Sequence, residues 1–220
     1  MRNDIVVEAE QLLVTHGFER FNFGLVAEAL NCTRPNIHYH FRTKKELVGE
    51  VVMDYVSRTE STFFEIWRGM DTSLSEKIEL TLEFNFKRYK RFNETETTGR
   101  PWSLIARMRG SVEVLPPKAR QALQNFGPHI EAAIREAISF SKGRGELLAD
   151  APVDEITLLI VSIINSAGPI TQDAGCFERL ETLYRASSKI ITHAYGNTEA
   201  PVALRRKVSS TGSGAMPGNG

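Results

Sequence analysis

The sequence predicts an all-α protein, and three observations support this. Apolar residues recur at intervals of three and four along most of the chain, which is the spacing of amphipathic helices. Residues that commonly cap helix N-termini precede several of these segments. No stretch of the sequence alternates apolar and polar residues over the length of a strand, and no segment repeats another. We expect about nine helices.

The first three helices are predicted by an apolar stripe and by caps. The stripe runs from Ile5 to His16, and Gly17 provides a C-terminal stop. Asn22 caps a second helix of about two turns, which the residues "NCT" interrupt. Thr33 then caps a short third helix with the sequence "RPNIHYHF".

The later helices follow from two capping boxes and from apolar spacing. Thr43 and Glu46 predict the start of a fourth helix, and Ser73 and Glu76 predict the start of a fifth. Pro128 is expected to bend one of the long helices. The segments predicted to be helical after the third helix are 47–69, 74–92, 102–110, 117–142, 153–168 and 174–195.

Composition and charge set limits on function. Lys plus Arg and Asp plus Glu both number 27, so attraction to an anion must come from local charge placement. The only cysteines, Cys32 and Cys176, are too few for a disulfide framework. The N-terminal segment carries acids and is not expected to be a signal peptide. The apolar run 156–170 is shorter than the roughly 20 residues that span a bilayer. We expect a cytoplasmic protein without membrane contact.

One stretch, "LNCTRPNIHYHFRTKKEL", is rich in basic residues and has no acid before Glu46. No Asp or Glu lies between Glu28 and Glu46. In the third helix Ile37 and Phe41 are four residues apart and are expected to face the core, which leaves polar and basic residues toward solvent. Two short helices joined by a tight turn form the helix-turn-helix pattern, whose second helix fits the DNA major groove. A solvated basic face without a partner is the alternative.

The exposed residues of this stretch have chemistry suited to DNA. Arg34 has the forked geometry that binds guanine, and Asn36 can bind adenine or a phosphate. Tyr39 can pack on a thymine methyl group or bond a phosphate oxygen. Lys44, in the first turn of the fourth helix, is placed to meet a phosphate. The absence of acids follows, because a carboxylate here would repel the DNA backbone.

The segment "GFERFNFGLVAEALNCTRPNIHYHFRTKKELV" resembles the DNA-binding domain of the TetR/AcrR (tetracycline-repressor-like) family of bacterial regulators, and the close match covers about residues 5–56. The resemblance implies a homodimer that binds a palindromic operator, usually as a repressor, and that holds a small-molecule effector in its larger domain. It places on the recognition helix the residues Arg34, Pro35, Asn36, His38, Tyr39 and His40, and it implies that Lys44 contacts phosphate.

The sequence departs from the family pattern at both helices of the motif. His38 stands where a tyrosine is frequent, and Pro35 stands where a glycine is frequent. Phe23 and Gly24 open the second helix, where a threonine or arginine often touches DNA.

These observations divide the chain into three parts. Residues 1–47 form the predicted helix-turn-helix DNA-binding domain, and 48–195 form a helical effector-binding and dimerisation domain. The segment 196–220, rich in Gly, Ser, Pro and Thr, is predicted to be a disordered tail.

The larger domain contains two candidate sites. An apolar stripe on the last helix predicts a dimer seam, with the core of a monomer as the alternative, and comprises Phe177, Leu180, Tyr184, Ser187 and Ile191. Concentrated aromatic residues, with a few polar ones, predict an effector pocket. Its candidate residues are Trp67, Phe86, Tyr89, Trp102, Arg107, His129 and Asn165.

No enzyme is expected, because the sequence contains no glycine-rich phosphate loop, C-x-x-C, H-E-x-x-H or nucleophile-elbow motif. We expect no cofactor and no metal. His38 and His40 are two residues apart on a helix, so their side chains diverge. The alternative function is a transcriptional activator or a helix-turn-helix DNA-binding protein without a ligand.

Overall fold

The computed structural model describes residues 1–95 and 97–197 of the chain. Nine α-helices and one 3-10 turn are found within these residues, together with one isolated bridge between Leu147 and Gly196. The all-α fold predicted from the sequence is confirmed. The helices are α1 (Arg2–Arg20), α2 (Phe23–Ala29), α3 (Arg34–His40), α4 (Lys44–Arg68), α5 (Leu74–Lys90), α6 (Leu104–Arg109), α7 (Pro117–Gly143), α8 (Val153–Ala174) and α9 (Glu178–Tyr195).

Caps define the beginnings of the short N-terminal helices. The Asn22 side chain accepts hydrogen bonds from the backbone N–H of Gly24 at 2.8 Å and of Leu25 at 3.2 Å, so the predicted cap of α2 is confirmed. Thr33 precedes α3 but makes no side-chain cap. Pro35 lacks one of the N–H groups that such a cap would satisfy, because proline has no amide proton.

The fourth helix joins the two regions of the chain without a break. Thr43 caps α4 by accepting from the N–H of Glu46 at 3.1 Å, and the Glu46 carboxylate accepts from the N–H of Arg42 at 3.0 Å. The cap is therefore confirmed, although the reciprocal bond goes to the residue before the one that a capping box predicts. The predicted domain boundary after residue 47 lies inside this continuous helix.

The core of the larger region is formed where α4, α7, α8 and α9 pack in sequence, with α5 against α9. Phe63 of α4 sits at its centre, edge to face with Phe84 at 5.5 Å and with Phe126 at 6.1 Å between ring centroids. Pro128 lies inside α7 as predicted, and α7 continues past it. Phe63 thereby connects three helices through one buried ring.

The prediction that α8 ends at residue 168 is wrong, since the helix continues through Pro169 to Ala174. A proline inside a helix leaves the carbonyl four residues earlier without its backbone donor. That carbonyl belongs to Asn165, and the Arg109 guanidinium donates to it at 3.1 Å. A side chain from α6 thus replaces the missing backbone bond. The turn at Gly175, with φ of 69°, then ends α8, and α9 begins at Glu178 rather than at the predicted 174.

Helix α8 is the one described helix whose length and apolar composition would suit a membrane span. The same properties suit a core helix, and one face of α8 packs against α6, α7 and α9. Leu158 and Leu159 lie on its other face, 63% and 41% exposed. Of the predicted tail, only Gly196 and Asn197 are among the described residues. Their N–H groups donate to the backbone carbonyls of Thr192 and Glu146, respectively.

The first prediction concerns Gly17, which interrupts α1 with φ of 72° and ψ of 173°, a backbone conformation accessible almost only to glycine. Gly17→Ala should lower the free energy of unfolding by about 1–3 kcal/mol, as measured by denaturant unfolding. Gly143→Ala in α7 is the matched control, because its added methyl group meets no atom within 4 Å outside its chain neighbours and its own helix backbone. That control should retain or raise stability by up to about 1 kcal/mol. Equal effects of the two substitutions would contradict this account of Gly17.

Candidate nucleic-acid interface and internal cavity

The third helix is anchored by a few buried side chains and a tight turn. Ile37 and Phe41 are fully buried, as their spacing predicts. The turn before α3 passes through Asn31, whose φ of 49° lies in the left-handed region. The N–H of Cys32 then returns to the carbonyl of Ala27 at 2.8 Å. Because the turn is short and the inner face is buried, the outer face of α3 has one fixed orientation.

The outer face of α3 carries the residues predicted to meet DNA. Tyr39 is 86% exposed, which is unusual for so large an aromatic ring. Its ring lies edge to face with His40 at 5.2 Å. The remaining exposed residues on this helix are Arg34, Pro35, Asn36 and His38, with His40 half-buried. The helix therefore presents a polar, acid-free surface with a projecting aromatic ring.

Two of the departures in α2 are explained by contacts with α3. A Cβ atom at Gly24 would lie 2.6 Å from the Arg34 guanidinium. Because glycine has no side chain, the guanidinium can pack against the start of α2. Phe23 is buried and packs edge to face on His38, with 4.7 Å between the ring centroids. The start of α2 therefore positions two α3 side chains.

Lys44 is half-buried and makes two contacts with the end of α1. Its ammonium donates to the carbonyl of Glu19 at 3.3 Å and lies 4.3 Å from the centre of the Phe18 ring. The predicted role of Lys44 as a phosphate contact stays a prediction. An ammonium has three donors, so a phosphate can be bound together with the Glu19 carbonyl.

An internal cavity lies among helices α4 to α8. Its usable space is about 20 Å³, and the figure rises to about 350 Å³ only when the gaps between atoms and the open solvent at the mouth are counted. The walls combine aromatic and aliphatic side chains with two arginines. The lining residues are Phe63, Asn85, Arg88, Trp102, Ser103, Ile105, Ala106, Arg109, Phe126, Ile164, Asn165, Ala167 and Gly168.

Two of the seven residues predicted to bind an effector line this cavity. The Trp102 indole N–H donates to the Thr171 hydroxyl at 2.7 Å. The Asn165 side chain accepts from Arg109 at 2.7 Å. Both are consequently oriented by neighbours in the cavity wall.

The other five do not line the cavity. Phe86 and Tyr89 pack on Phe177 at 5.0 and 5.1 Å, and Trp67 is buried in the core. His129 bonds Glu60 at 2.9 Å and is exposed. Arg107 reaches in another direction, toward α1.

Sequence reasoning missed Arg88 and Arg109. A usable signal was present for Arg88, because Ile78, Thr81, Asn85 and Arg88 follow one another at spacings of three and four. An arginine on such a stripe must reach the interior or its edge. No comparable signal exists for Arg109, because α6 has only six residues.

The residues predicted to form the dimer seam do not lie on the surface of the chain, so this prediction is wrong for them. Its five side chains, Phe177, Leu180, Tyr184, Ser187 and Ile191, are buried within a single chain. The stripe packs on α5 and α8, and the Tyr184 hydroxyl accepts from the Asn85 amide at 3.0 Å. Burial also raises the pKa of Tyr184 above its ordinary value. The periodicity thus marked an internal seam, which was the alternative considered above.

The two regions are connected through the carbonyl end of α1. Arg107 on α6 donates to the carbonyl of Thr15 at 3.3 Å, close to Gly17, where a Cβ would lie 3.1 Å from the arginine Nε. Ser103, Ile105, Ala106 and Arg109, on the same short segment, line the cavity. A second connection is Glu10 of α1, which is buried and pairs with Arg58 of α4 and with Arg91, at 3.5 Å.

Comparison with known proteins agrees with this architecture. Residues 5–51 match the family model described as bacterial regulatory proteins, tetR family. No curated protein matches the chain. Among solved structures, a TetR transcriptional regulator from Chloroflexus aurantiacus superposes with a TM-score of 0.72 and 17% identity, over 90% of this chain and 96% of that one.

Two other structures are similar over comparable lengths. Regulatory protein TetR from Rhodobacter sphaeroides gives a TM-score of 0.70 and 13% identity over 85% of this chain and 96% of that one. The reduced form of Escherichia coli NemR gives a TM-score of 0.67 and 13% identity over 90% of this chain and 98% of that one. At these identities the structures establish the fold.

The matched segment and the fold together give a helix-turn-helix N-terminal region followed by a helical C-terminal region. Residues 5–51 match the tetR family model, which agrees with the resemblance found at residues 5–56, and the whole chain shares the fold of solved TetR-family regulators. Members of the matched family are DNA-binding transcriptional regulators. The family is one of regulators rather than of enzymes.

The second prediction concerns Arg34. Arg34→Ala should weaken binding to a specific DNA site by about 1–3 kcal/mol and relax preference at one base pair per half-site. Gly24→Ala should act in the same direction, because its methyl group would lie 2.6 Å from the Arg34 guanidinium; it would also lie 2.8 Å from the Asn22 oxygen that caps α2, so thermal unfolding of this variant is measured as well. Lys87→Ala on α5 is the matched control, since it removes an exposed cation far along the chain from α3. Fluorescence anisotropy with a panel of duplexes measures all three variants. A uniform loss on every sequence would instead identify Arg34 as a phosphate contact.

Proposed function

We propose that the chain is a cytoplasmic, ligand-responsive repressor that binds a palindromic DNA operator as a homodimer. The observation that carries the proposal is the outer face of α3, on which Arg34, Asn36 and an 86% exposed Tyr39 stand in a segment without acids. This surface is open to solvent and has the donors that read bases in the major groove. In this proposal residues 1–47 carry the DNA-binding function, and 48–195 carry effector binding and dimerisation.

In the proposed complex each side chain has a defined role. Arg34 and Asn36 read base edges, and Tyr39 packs on a thymine methyl group or bonds a phosphate. Pro35, His38 and His40 lie on the same helix and shape its contact with the groove. Lys44 bonds a phosphate while it remains on the carbonyl end of α1.

Homodimerisation is proposed through the outer faces of α8 and α9. Leu158 and Ile190 are 63% and 64% exposed, although both are large and apolar. Small residues, Ser162, Ser166 and Ala186, are exposed near them on the same two helices. Small side chains allow close helix approach, and burial of the apolar ones favours association. A two-fold pairing of α8 and α9 would present two α3 helices to half-sites about one DNA turn apart.

Ligand response is proposed to pass through α6. This helix contributes to the cavity wall and also holds the end of α1 through Arg107. The enclosed part of the cavity has room for about one water molecule, so an effector must displace part of its wall. A displacement of α6 would move α1, and with it the orientation of α3, which supports a coupling between effector and DNA.

The third prediction is the direct test of this function. In fluorescence anisotropy, the protein should bind saturably to DNA that flanks its own gene and should bind a scrambled duplex much more weakly as salt is raised. Phosphate contacts are lost steeply with salt, whereas base readout preserves the difference between duplexes. Arg34→Ala should reduce this difference. Equal binding of both duplexes at every salt concentration would argue against sequence-specific regulation of that gene, and absence of binding at low salt would refute the DNA interface.

The fourth prediction concerns assembly. Ile190→Glu should convert the dimer to monomer at micromolar concentration, because it places a charge in an apolar contact. Leu80→Glu on α5, where the leucine is 37% exposed, is the matched control and should leave the mass in solution unchanged. Sedimentation equilibrium measures both. A dimer that survives Ile190→Glu, and equally Leu158→Glu, would rule out the α8 and α9 faces.

A further inference from the structure

The charged side chains that line the internal cavity all have the same sign. Arg88 and Arg109 both line it, and none of its lining residues is an aspartate or glutamate. A guanidinium remains protonated under all ordinary conditions, so both arginines are cations. The cavity wall is therefore positive, with neutral polar groups and apolar surface around the two charges.

Neither of these arginines has a carboxylate partner among the described residues. Arg88 donates to the Tyr55 hydroxyl, and its guanidinium lies 5.0–5.2 Å from the ring centres of Tyr55, Phe84 and Trp102. Arg109 donates to the backbone and side-chain oxygens of Asn165, at 3.1 and 2.7 Å. Neutral dipoles and ring faces thus hold both cations in place.

The contrast with neighbouring arginines is informative. Arg58 and Arg91, which lie on α4 and just after α5, share the buried carboxylate of Glu10. Carboxylates are thus available to nearby cations, while the two that reach the cavity are left without one. Partial desolvation of its guanidinium lowers the pKa of Arg109, although the residue as a whole is exposed to solvent. An anion bound beside the guanidinium would offset this desolvation.

The rest of the wall limits the size and shape of that anion. Phe63, Trp102 and Phe126 provide flat apolar surface, and Ile105 and Ile164 close the remaining sides. The usable space of about 20 Å³ holds about one water molecule, so a ligand must displace part of the wall, and a compact ligand needs the smallest displacement. A compact aromatic body carrying one anionic group fits these restrictions better than a large or highly charged molecule.

We propose that the cavity binds a small aromatic carboxylate, with its ring against Trp102 and Phe126 and its carboxylate bound by Arg88 and Arg109. This names the chemical class of the effector and rests on the proposed function in taking the cavity as the effector site. Arginine favours carboxylates because its planar fork can donate two parallel hydrogen bonds. Arg109 also bonds the Asn165 carbonyl left free by Pro169, so a ligand that draws Arg109 away would act directly on α8.

The test is isothermal titration calorimetry of the full chain with benzoate, and with benzamide as a neutral molecule of the same shape. Benzoate should bind at least about tenfold more tightly than benzamide, because only benzoate gains charge-assisted hydrogen bonds. Arg109→Met should reduce benzoate affinity about tenfold and leave benzamide affinity unchanged. Arg68→Met is the control, since Arg68 pairs with Glu136 on the surface and does not line the cavity.

Arg88→Met is a second variant with the same expected loss. Arg88 packs on three rings and can be needed for folding, so the thermal unfolding of each variant is measured without ligand. If Arg88→Met does not fold, the comparison of benzoate affinity rests on Arg109→Met alone. Equal affinity for benzoate and benzamide, absence of benzoate binding at millimolar concentration, or full benzoate affinity in Arg109→Met would each overturn the proposal.

The same samples separate this proposal from the proposed function. DNA anisotropy with and without benzoate reports the ligand response. Arginine-dependent binding of benzoate that leaves DNA affinity unchanged would support the carboxylate site and contradict ligand-responsive repression. Specific DNA binding by a protein that does not bind benzoate would contradict the carboxylate site and leave the DNA-binding function supported.

Discussion

The carbonyl end of α1 is the contact on which the arrangement of this protein depends. A helix leaves its last carbonyl groups without backbone donors and carries partial negative charge there. Here two cations from other helices supply the missing donors, Arg107 to Thr15 and Lys44 to Glu19. Gly17 makes the first contact possible, because a side chain at that position would crowd the arginine. The end of α1 thereby connects the helix-turn-helix region to both α4 and α6.

The opposite end of α1 is also fixed by an arginine. Arg2 pairs with Glu50 of α4 and lies 4.7 Å from the centre of the Phe41 ring, which follows α3 directly. Glu10, midway along α1, is tied to α4 and to the end of α5. The helix-turn-helix unit is consequently held at three levels along α1. A rigid unit of this kind can transmit a shift of α4 or α6 as a change in orientation rather than absorb it locally.

The cavity region shows how one arginine can serve two elements. Pro169 removes a backbone donor from α8, and the free carbonyl of Asn165 is satisfied by Arg109 of α6. A side chain of α6 thus takes the place of the missing backbone donor at the point where α8 passes Pro169. Gly168 contributes to this contact, since a Cβ there would lie 3.1 Å from the Ala106 side chain. The wall of the cavity and the continuity of α8 depend on the same contact.

The sequence alone determined the all-α class, the helix-turn-helix pattern and the polar, solvent-exposed side of α3. These features are local, since caps such as Asn22 and spacings such as Ile37 to Phe41 act over a few residues. The tertiary structure decided whether an apolar stripe packs inside its own chain or against a second chain. The stripe containing Tyr184 could cover a second chain or the chain's own α5, and periodicity is the same in both cases. Long-range polar contacts such as Arg109 to Asn165 were likewise decided in three dimensions, because no local pattern specifies which distant carbonyl an arginine reaches.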